Sequence, residues 1–232
     1  MLRVKTTRLS VAVLAVATII AVVGSVAIAS NMGFKLNKPI VLAGAGQIGN
    51  NWTSIPYNNP YGNAGAFCNQ TGLVTALVGR ATLTVLNEAT GSFTTVGCGT
   101  AQATALALVP GKGLQIRQPA ATGAPTSIII VGSHNPALSL TVPKSGTGQI
   151  GNFWFSVPYH TTAVTANDLC QSSGLFTTAI IKASLTKLNA TTGAFTTVTC
   201  QTAQAAALQL ILGEHVQFRN PNGPNTFIAA HF

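Results

Sequence analysis

The segment "GQIGNNWTSIPY" at positions 46–57 returns as "GQIGNFWFSVPY" at 148–159. Trp52 and Trp154 stand 102 residues apart (154 − 52), and the same offset relates Cys68 to Cys170, Cys98 to Cys200, Gly111 to Gly213 and Arg117 to Arg219. The register runs without a gap from Gly46 to Pro119, and about half of the aligned positions are identical. A duplication this regular constrains the chain to two copies of one fold, because the same apolar positions must be buried in each. It divides the chain into residues 30–136 and 137–232, preceded by a segment 1–29 of different character.

That leading segment, "MLRVKTTRLSVAVLAVATIIAVVGSVAIAS", carries Arg3, Lys5 and Arg8 ahead of an apolar run that ends with Ala27 and Ala29 at A-x-A spacing. The pattern reads as a secretory signal peptide cleaved after Ala29. The run is also long enough to span a bilayer, so an uncleaved anchor is the alternative, and the membrane is then a partner through this segment.

Within each copy the pattern is mainly β. "NWTSIPY" and "FWFSVPY" alternate at strand period and stop at a proline. "NAGAFCNQTG" and "TANDLCQSSG" suit a short helix closing on glycine, the second with Thr165 as N-cap and Asp168 completing a capping box. "ATLTVLNEATGSFTTVGC" and "ASLTKLNATTGAFTTVTC" read as a hairpin around a glycine turn, and "LQIR", "VQFR", "TSIIIVGSH" and "NTFIAAHF" supply further strands. The expectation is two tandem homologous domains of six or seven strands, each a β-sandwich or partly open barrel with one short helix and one disulfide.

Cys68, Cys98, Cys170 and Cys200 are the only cysteines. The duplication favours the within-copy pairs Cys68–Cys98 and Cys170–Cys200, each tying the helix to the end of the hairpin. A zinc site is the alternative for paired cysteines, but no C-x-x-C occurs and no histidine recurs beside a cysteine in both copies. Disulfides and a signal peptide agree on an oxidising, extracellular destination.

The formal charge is +9, of which three positives belong to the leading segment, and the chain has only three carboxylates, Glu88, Asp168 and Glu214. The basic residues are scattered singly, which argues against nucleic acid as a partner. A surface so poor in charge repels copies of itself weakly. The glycines of "GAGQIG" resemble a dinucleotide-binding loop only superficially, since a strand-like, proline-bounded stretch follows instead of a helix. Gly44, Gly46 and Gly49 read as a hairpin or bulge, and no cofactor is expected. No acid recurs in both copies, so carboxylate-pair chemistry has little to work with, and nothing in the sequence positions His134, His160, His215 and His231 in a triad.

Trp52 and Trp154 read first as core aromatics. Their sharper reading is as ligand contacts together with Tyr57 and Tyr159. The duplicated polar set Gln47, Asn50, Ser54 and Arg117, with Gln149, Asn152, Ser156 and Arg219, reads as satisfying turns and hairpin backbone. Asn51, Asn69 and Asn189 begin matches to the N-glycosylation sequon.

The succession "NWTSIPY", cysteine-bearing helix, "LNEATGSFTTVGC", "LVPGKGLQIR" and "VGSH" resembles a module of uncharacterised exported bacterial proteins, often in tandem. The resemblance covers nearly all of the chain after the leading segment and implies export and a β-rich module without enzymatic chemistry. The second copy departs from it at "ILGEHVQFR", where Leu212 and His215 stand in place of Pro110 and Gly113. The functional expectation is a secreted or cell-surface structural protein that assembles with itself as a filament or surface-layer subunit and is not an enzyme. The alternative is an extracellular adhesin module that binds a glycan or a surface protein without catalysis.

Overall fold

The computed structural model describes residues 33–44, 49–135, 137–144, 151–159, 161–176, 180–189 and 192–228. The leading segment, Gln47, Gln149, His160 and His231 lie outside them. The first repeat runs β1 (Gly33–Pro39), β2 (Leu42–Ala43), β3 (Asn50–Ser54), α1 (Ala64–Thr71), β4 (Thr82–Asn87), β5 (Ser92–Gly97), α2 (Ala101–Ala105), β6 (Gly113–Pro119) and β7 (Ser127–Ser133). The second runs β8 (Ser139–Val142), β9 (Asn152–Ser156), α3 (Ala166–Ser172), β10 (Ser184–Leu188), β11 (Phe195–Thr199), α4 (Ala203–Ala207), β12 (His215–Arg219) and β13 (Asn225–Ile228). The protein is mainly β, with two disulfides and two similar halves.

In each repeat four antiparallel strands form the principal sheet. Their order is β3-β6-β4-β5 in the first and β9-β12-β10-β11 in the second, the same arrangement at the 102-residue offset. A two-stranded ribbon, β1–β7 or β8–β13, supplies the opposite layer. Ile128 and Ile130 of the first ribbon share a core with Leu83, Val96, Leu114 and Ile116 of the sheet, and Phe67 of α1 fills the space between. The second repeat repeats the plan with Leu140, Val142 and Phe227 from its ribbon against Phe153, Phe155, Val216 and Phe218. Alternation along β6, where Leu114 and Ile116 are buried and Arg117 is exposed, is what a strand with one face on a core requires.

The short helix of each repeat starts where its caps dictate. Asn63 Oδ1 accepts from the Ala66 N–H at 2.8 Å, and α1 ends on Gly72 in the left-handed region. Thr165 and Asp168 form the reciprocal capping box that begins α3. To these the structure adds a second helix per repeat, α2 and α4. Both follow a cysteine and a positive-φ residue, Gly99 or Gln201, and both start from a threonine cap, Thr100 or Thr202. At five residues each, they are too short for apolar periodicity to reveal.

Cys68–Cys98 and Cys170–Cys200 are both formed, tying α1 and α3 to the ends of their hairpins. The glycine segment after β2 does not close a β2–β3 hairpin: both strands pair with β6, β2 in parallel and β3 antiparallel. Gly49 has φ +67, and a Cβ there would fall 2.4 Å from Ala43, so the segment requires its glycine for backbone reasons alone. No helix among the described residues is long and apolar enough to cross a membrane.

Candidate functional site: a groove between the repeats

Each principal sheet has a second face, pointing away from its own core. In the first repeat the pairing register aligns Trp52 with Gln115, Gln115 with Thr84, and Thr84 with Thr95, one row across four strands. In the second it aligns Trp154, Gln217, Thr186 and Thr197 in the same way. Hydrogen bonds run along the rows. Trp52 Nε1 donates to Gln115 Oε1 at 3.3 Å and Trp154 Nε1 to Gln217 Oε1 at 3.0 Å, while the hydroxyls of Thr84 and Thr95, and of Thr186 and Thr197, lie 2.8 Å apart. Phe93 and Phe195 stand on the same faces two residues along the edge strands β5 and β11.

The two faces look at each other across a groove of about 530 Å³. Its lining consists of five equivalent pairs, Trp52/Trp154, Thr84/Thr186, Phe93/Phe195, Thr95/Thr197 and Gln115/Gln217. Contacts across it are equally paired: Phe93 to Trp154 at 5.3 Å and Phe195 to Trp52 at 5.4 Å between ring centroids. The repeats are thus related by an approximate twofold axis through the groove floor. The tryptophans are almost buried, while Phe93 and Phe195 are 57% and 62% exposed at the mouth.

The axis is marked by one ring. His215 lies between the two indoles, 4.2 Å from Trp52 and 4.7 Å from Trp154. Its counterpart is Gly113, where an added Cβ would come within 2.5 Å of His215 Nε2. There is room for one imidazole at the axis, and the second copy provides it. Neither ring nitrogen is paired in a well-formed hydrogen bond. Burial holds the ring neutral, pulling its pKa down to about 3; the Leu114 backbone opposes this and the Lys38 charge adds to it.

Beside the axis the halves interlock through polar groups. Ser54 Oγ donates to the Gly213 carbonyl at 2.7 Å, the Ser156 N–H donates to the Gly111 carbonyl at 3.0 Å, and Tyr57 Oη donates to the Ser156 carbonyl at 3.3 Å. Tyr57 belongs to the apolar core of the second repeat, and burial raises its pKa well above the usual phenol value. Lys112 Nζ sits 3.9 Å from the Phe153 ring centroid and pairs with Glu88 at 2.6 Å, while Lys187 pairs with Glu214 at 3.0 Å. Burial pushes Glu88 up and Lys112 down, each opposed by the other's charge.

Of the four aromatic residues singled out as ligand contacts, the structure brings Trp52 and Trp154 together at 5.8 Å. Tyr57 and Tyr159 lie apart from the groove: Tyr57 beside His134, and Tyr159 stacked on Phe34 at 3.4 Å. The polar lining Gln115, Gln217, Thr84, Thr95, Thr186 and Thr197 and the gatekeepers Phe93 and Phe195 were not singled out from sequence. A signal for them exists: all five pairs are identical between the copies. On β3 and β6 the core-facing neighbours are not, with Asn51, Thr53, Leu114 and Ile116 replaced by Phe153, Phe155, Val216 and Phe218. Of the sequon asparagines, Asn51 is fully buried and its amide donates to the Val41 and Gly49 carbonyls, while Asn69 and Asn189 are exposed.

No group of three or more His, Cys, Asp or Glu side chains placed to hold a metal ion occurs among the described residues. Comparison with protein-family models, curated proteins and solved structures finds no match to the chain. The groove is therefore read from its own chemistry. Its lining offers aromatic edges, threonine methyls and hydroxyls and carboxamides, and no charged side chain.

Proposed function

We infer that this is an exported, non-catalytic binding protein whose groove takes a neutral glycan. The observation that carries the reading is the identity of all five lining pairs, which on β3 and β6 contrasts with a core-facing side that has diverged. Thr84, Thr95, Thr186 and Thr197 pair by hydroxyl across their strands and stand at half-buried or exposed positions, where each couple keeps hydroxyl capacity for a ligand. A sugar presents C–H faces to aromatic rings and hydroxyls to Thr and Gln, and this lining supplies both partners in one concave place. The disulfides suit an oxidising compartment, and the leading segment supplies the export signal in this reading.

The test is a neutral-glycan array followed by titration of tryptophan fluorescence, since Trp52 and Trp154 form the groove floor. Binding that is lost in a Phe93→Ala, Phe195→Ala double variant of unchanged stability supports the reading. An unresponsive array and unchanged fluorescence overturn it.

A second reading, self-assembly into a filament or surface layer, is favoured by a different observation. Leu77 and Val78 in the loop after α1, and Ile180 and Ile181 in the corresponding loop after α3, are 81%, 84%, 99% and 67% exposed. Aliphatic side chains this open in the same loop of both repeats suit contacts with further copies. Negative-stain electron microscopy with size-exclusion chromatography of the exported protein decides it: filaments or sheets favour assembly, a clean monomer removes it.

A further inference from the structure

With the groove taken as a glycan site, its geometry also specifies what kind of chain it reads and in which direction. The rings touch in the order Phe195, Trp52, Trp154, Phe93, with centroid separations of 5.4, 5.8 and 5.3 Å. Each step is close to the length of one sugar ring. Entering from either end, a ligand meets a Phe, then a Trp whose Nε1 is bonded to a Gln, flanked by a hydroxyl-paired Thr couple. In each Thr couple one O–H is donated to its neighbour and the other remains for a ligand oxygen.

We propose that the groove is two equivalent half-sites for one unbranched, neutral homoglycan, which it binds in both chain directions. Neutrality follows from the lining, which holds no charge, while Lys112 with Glu88 and Lys187 with Glu214 are paired with one another. A uronate or sulfate entering here loses its hydration and gains no counter-charge. A single repeating unit follows from the identity of the half-sites, since two different sugars would need two different linings. Lack of branching follows from the volume, since about 530 Å³ between two facing sheets is already taken up by a short linear segment. A volume of about 530 Å³, with the exposed Phe93 and Phe195 rings at its mouth and the indoles as its floor, fits a segment of about four units at most. Indifference to direction follows from the twofold axis, which reverses the polarity of a bound chain while presenting the same groups. The one residue that breaks the equivalence, His215 against Gly113, is buried behind the indoles and does not line the groove.

The experiment uses the full chain with intact disulfides and four neutral oligosaccharide series of one to six units: β-glucan, mannan, galactan and N-acetylglucosamine oligomers. Calorimetry is expected to show one ligand per protein, with affinity climbing until about four units and then levelling. Phe93→Ala and Phe195→Ala, both at exposed positions, are expected to weaken the tetramer by equal factors of about tenfold. A tetramer carrying a nitroxide at its reducing end is expected to broaden the ring signals of Phe93 and Phe195 alike. Two short ligands bound per protein with no gain on lengthening, broadening of one phenylalanine only, or tighter binding of a branched or anionic chain overturns the two-half-site proposal while leaving the groove a glycan site. Absence of binding by all four series removes the glycan reading itself.

Discussion

Only one imidazole fits at the axis between the repeats, and this makes an unusual mutational prediction. Gly113→Ala places a methyl where the nearest atoms are Nε2, Cδ2 and Cε1 of His215 at 2.5, 2.6 and 2.7 Å. The ring has no easy retreat, being fully buried between Trp52 and Trp154. Overpacking against a confined ring costs about 3 kcal/mol, the upper part of the usual range. His215→Gly does the opposite. It removes a ring stacked on two indoles and leaves a void, for about 3–5 kcal/mol including the glycine's own cost in a strand. If the effects at the two positions were independent, the exchange Gly113→His with His215→Gly would lose at least their sum, about 6–8 kcal/mol. The twofold relation instead places the transplanted imidazole between the same two indoles, approached from the other sheet. The exchanged protein is therefore expected to lie within about 2 kcal/mol of the parent. Guanidinium unfolding followed by tryptophan fluorescence measures all three variants. A double variant as unstable as the sum of its parts would refute the shared-axis argument.

Acidification tests the same ring by another route. The His215 pKa is depressed to about 3 in the folded state, so between pH 6.5 and that value the unfolded chain binds a proton that the folded chain refuses. Stability is expected to fall as pH falls through this window, by about 1.4 kcal/mol per unit from this group. Urea midpoints at pH 7, 5 and 4 should show that slope reduced in His215→Phe, and parallel slopes would discredit the assignment. Replacing Cys68 and Cys98 together by serine, or Cys170 and Cys200, opens a bridge of sequence separation 30 in either repeat. Each pair of changes should cost about 3–4 kcal/mol in thermal or denaturant unfolding, and markedly unequal costs would mean the repeats are not equally dependent on their staples. Tyr57→Phe removes the hydroxyl that donates to the Ser156 carbonyl and should cost about 1 kcal/mol of stability. It should leave ligand affinity unchanged, and a loss of affinity would bring that hydroxyl into the site.

How far the sequence reached depends on which interactions set each feature. The disulfide pairs, the α1 and α3 helices and the hairpins were legible, because caps, cysteine spacing and alternation act within a few residues or repeat at the same offset. The capping box of Thr165 and Asp168 stands as its spacing implied. The helices α2 and α4 were not legible, being single turns held by threonine caps. The groove was half legible. Trp52 and Trp154 drew notice as aromatic residues, but Thr84, Thr95, Gln115 and their copies are ordinary strand residues until the register aligns them in one row. That Tyr57 and Tyr159 belong to the joint between the halves depends on how one repeat docks on the other, which no local pattern encodes.

The docking also explains where the two copies are permitted to differ. In a dimer of identical chains, a residue beside the twofold axis faces itself. With glycine at this position, such a dimer leaves the space between the indoles empty, and with histidine two rings compete for it. Joining the repeats in one chain removes the restriction, and Gly113 with His215 fills the axis once. The neighbouring position follows the same logic with charge, Lys112 in one copy and Glu214 in the other, each paired with an opposite partner, Glu88 or Lys187. Farther from the axis, on the groove walls, the copies have the same freedom to diverge and have not used it. The contrast is sharpest on β3 and β6, where Trp52 and Gln115 match Trp154 and Gln217 while the core-facing Asn51, Thr53, Leu114 and Ile116 have become Phe153, Phe155, Val216 and Phe218, so that on these two strands the groove side has been held while the core side was repacked.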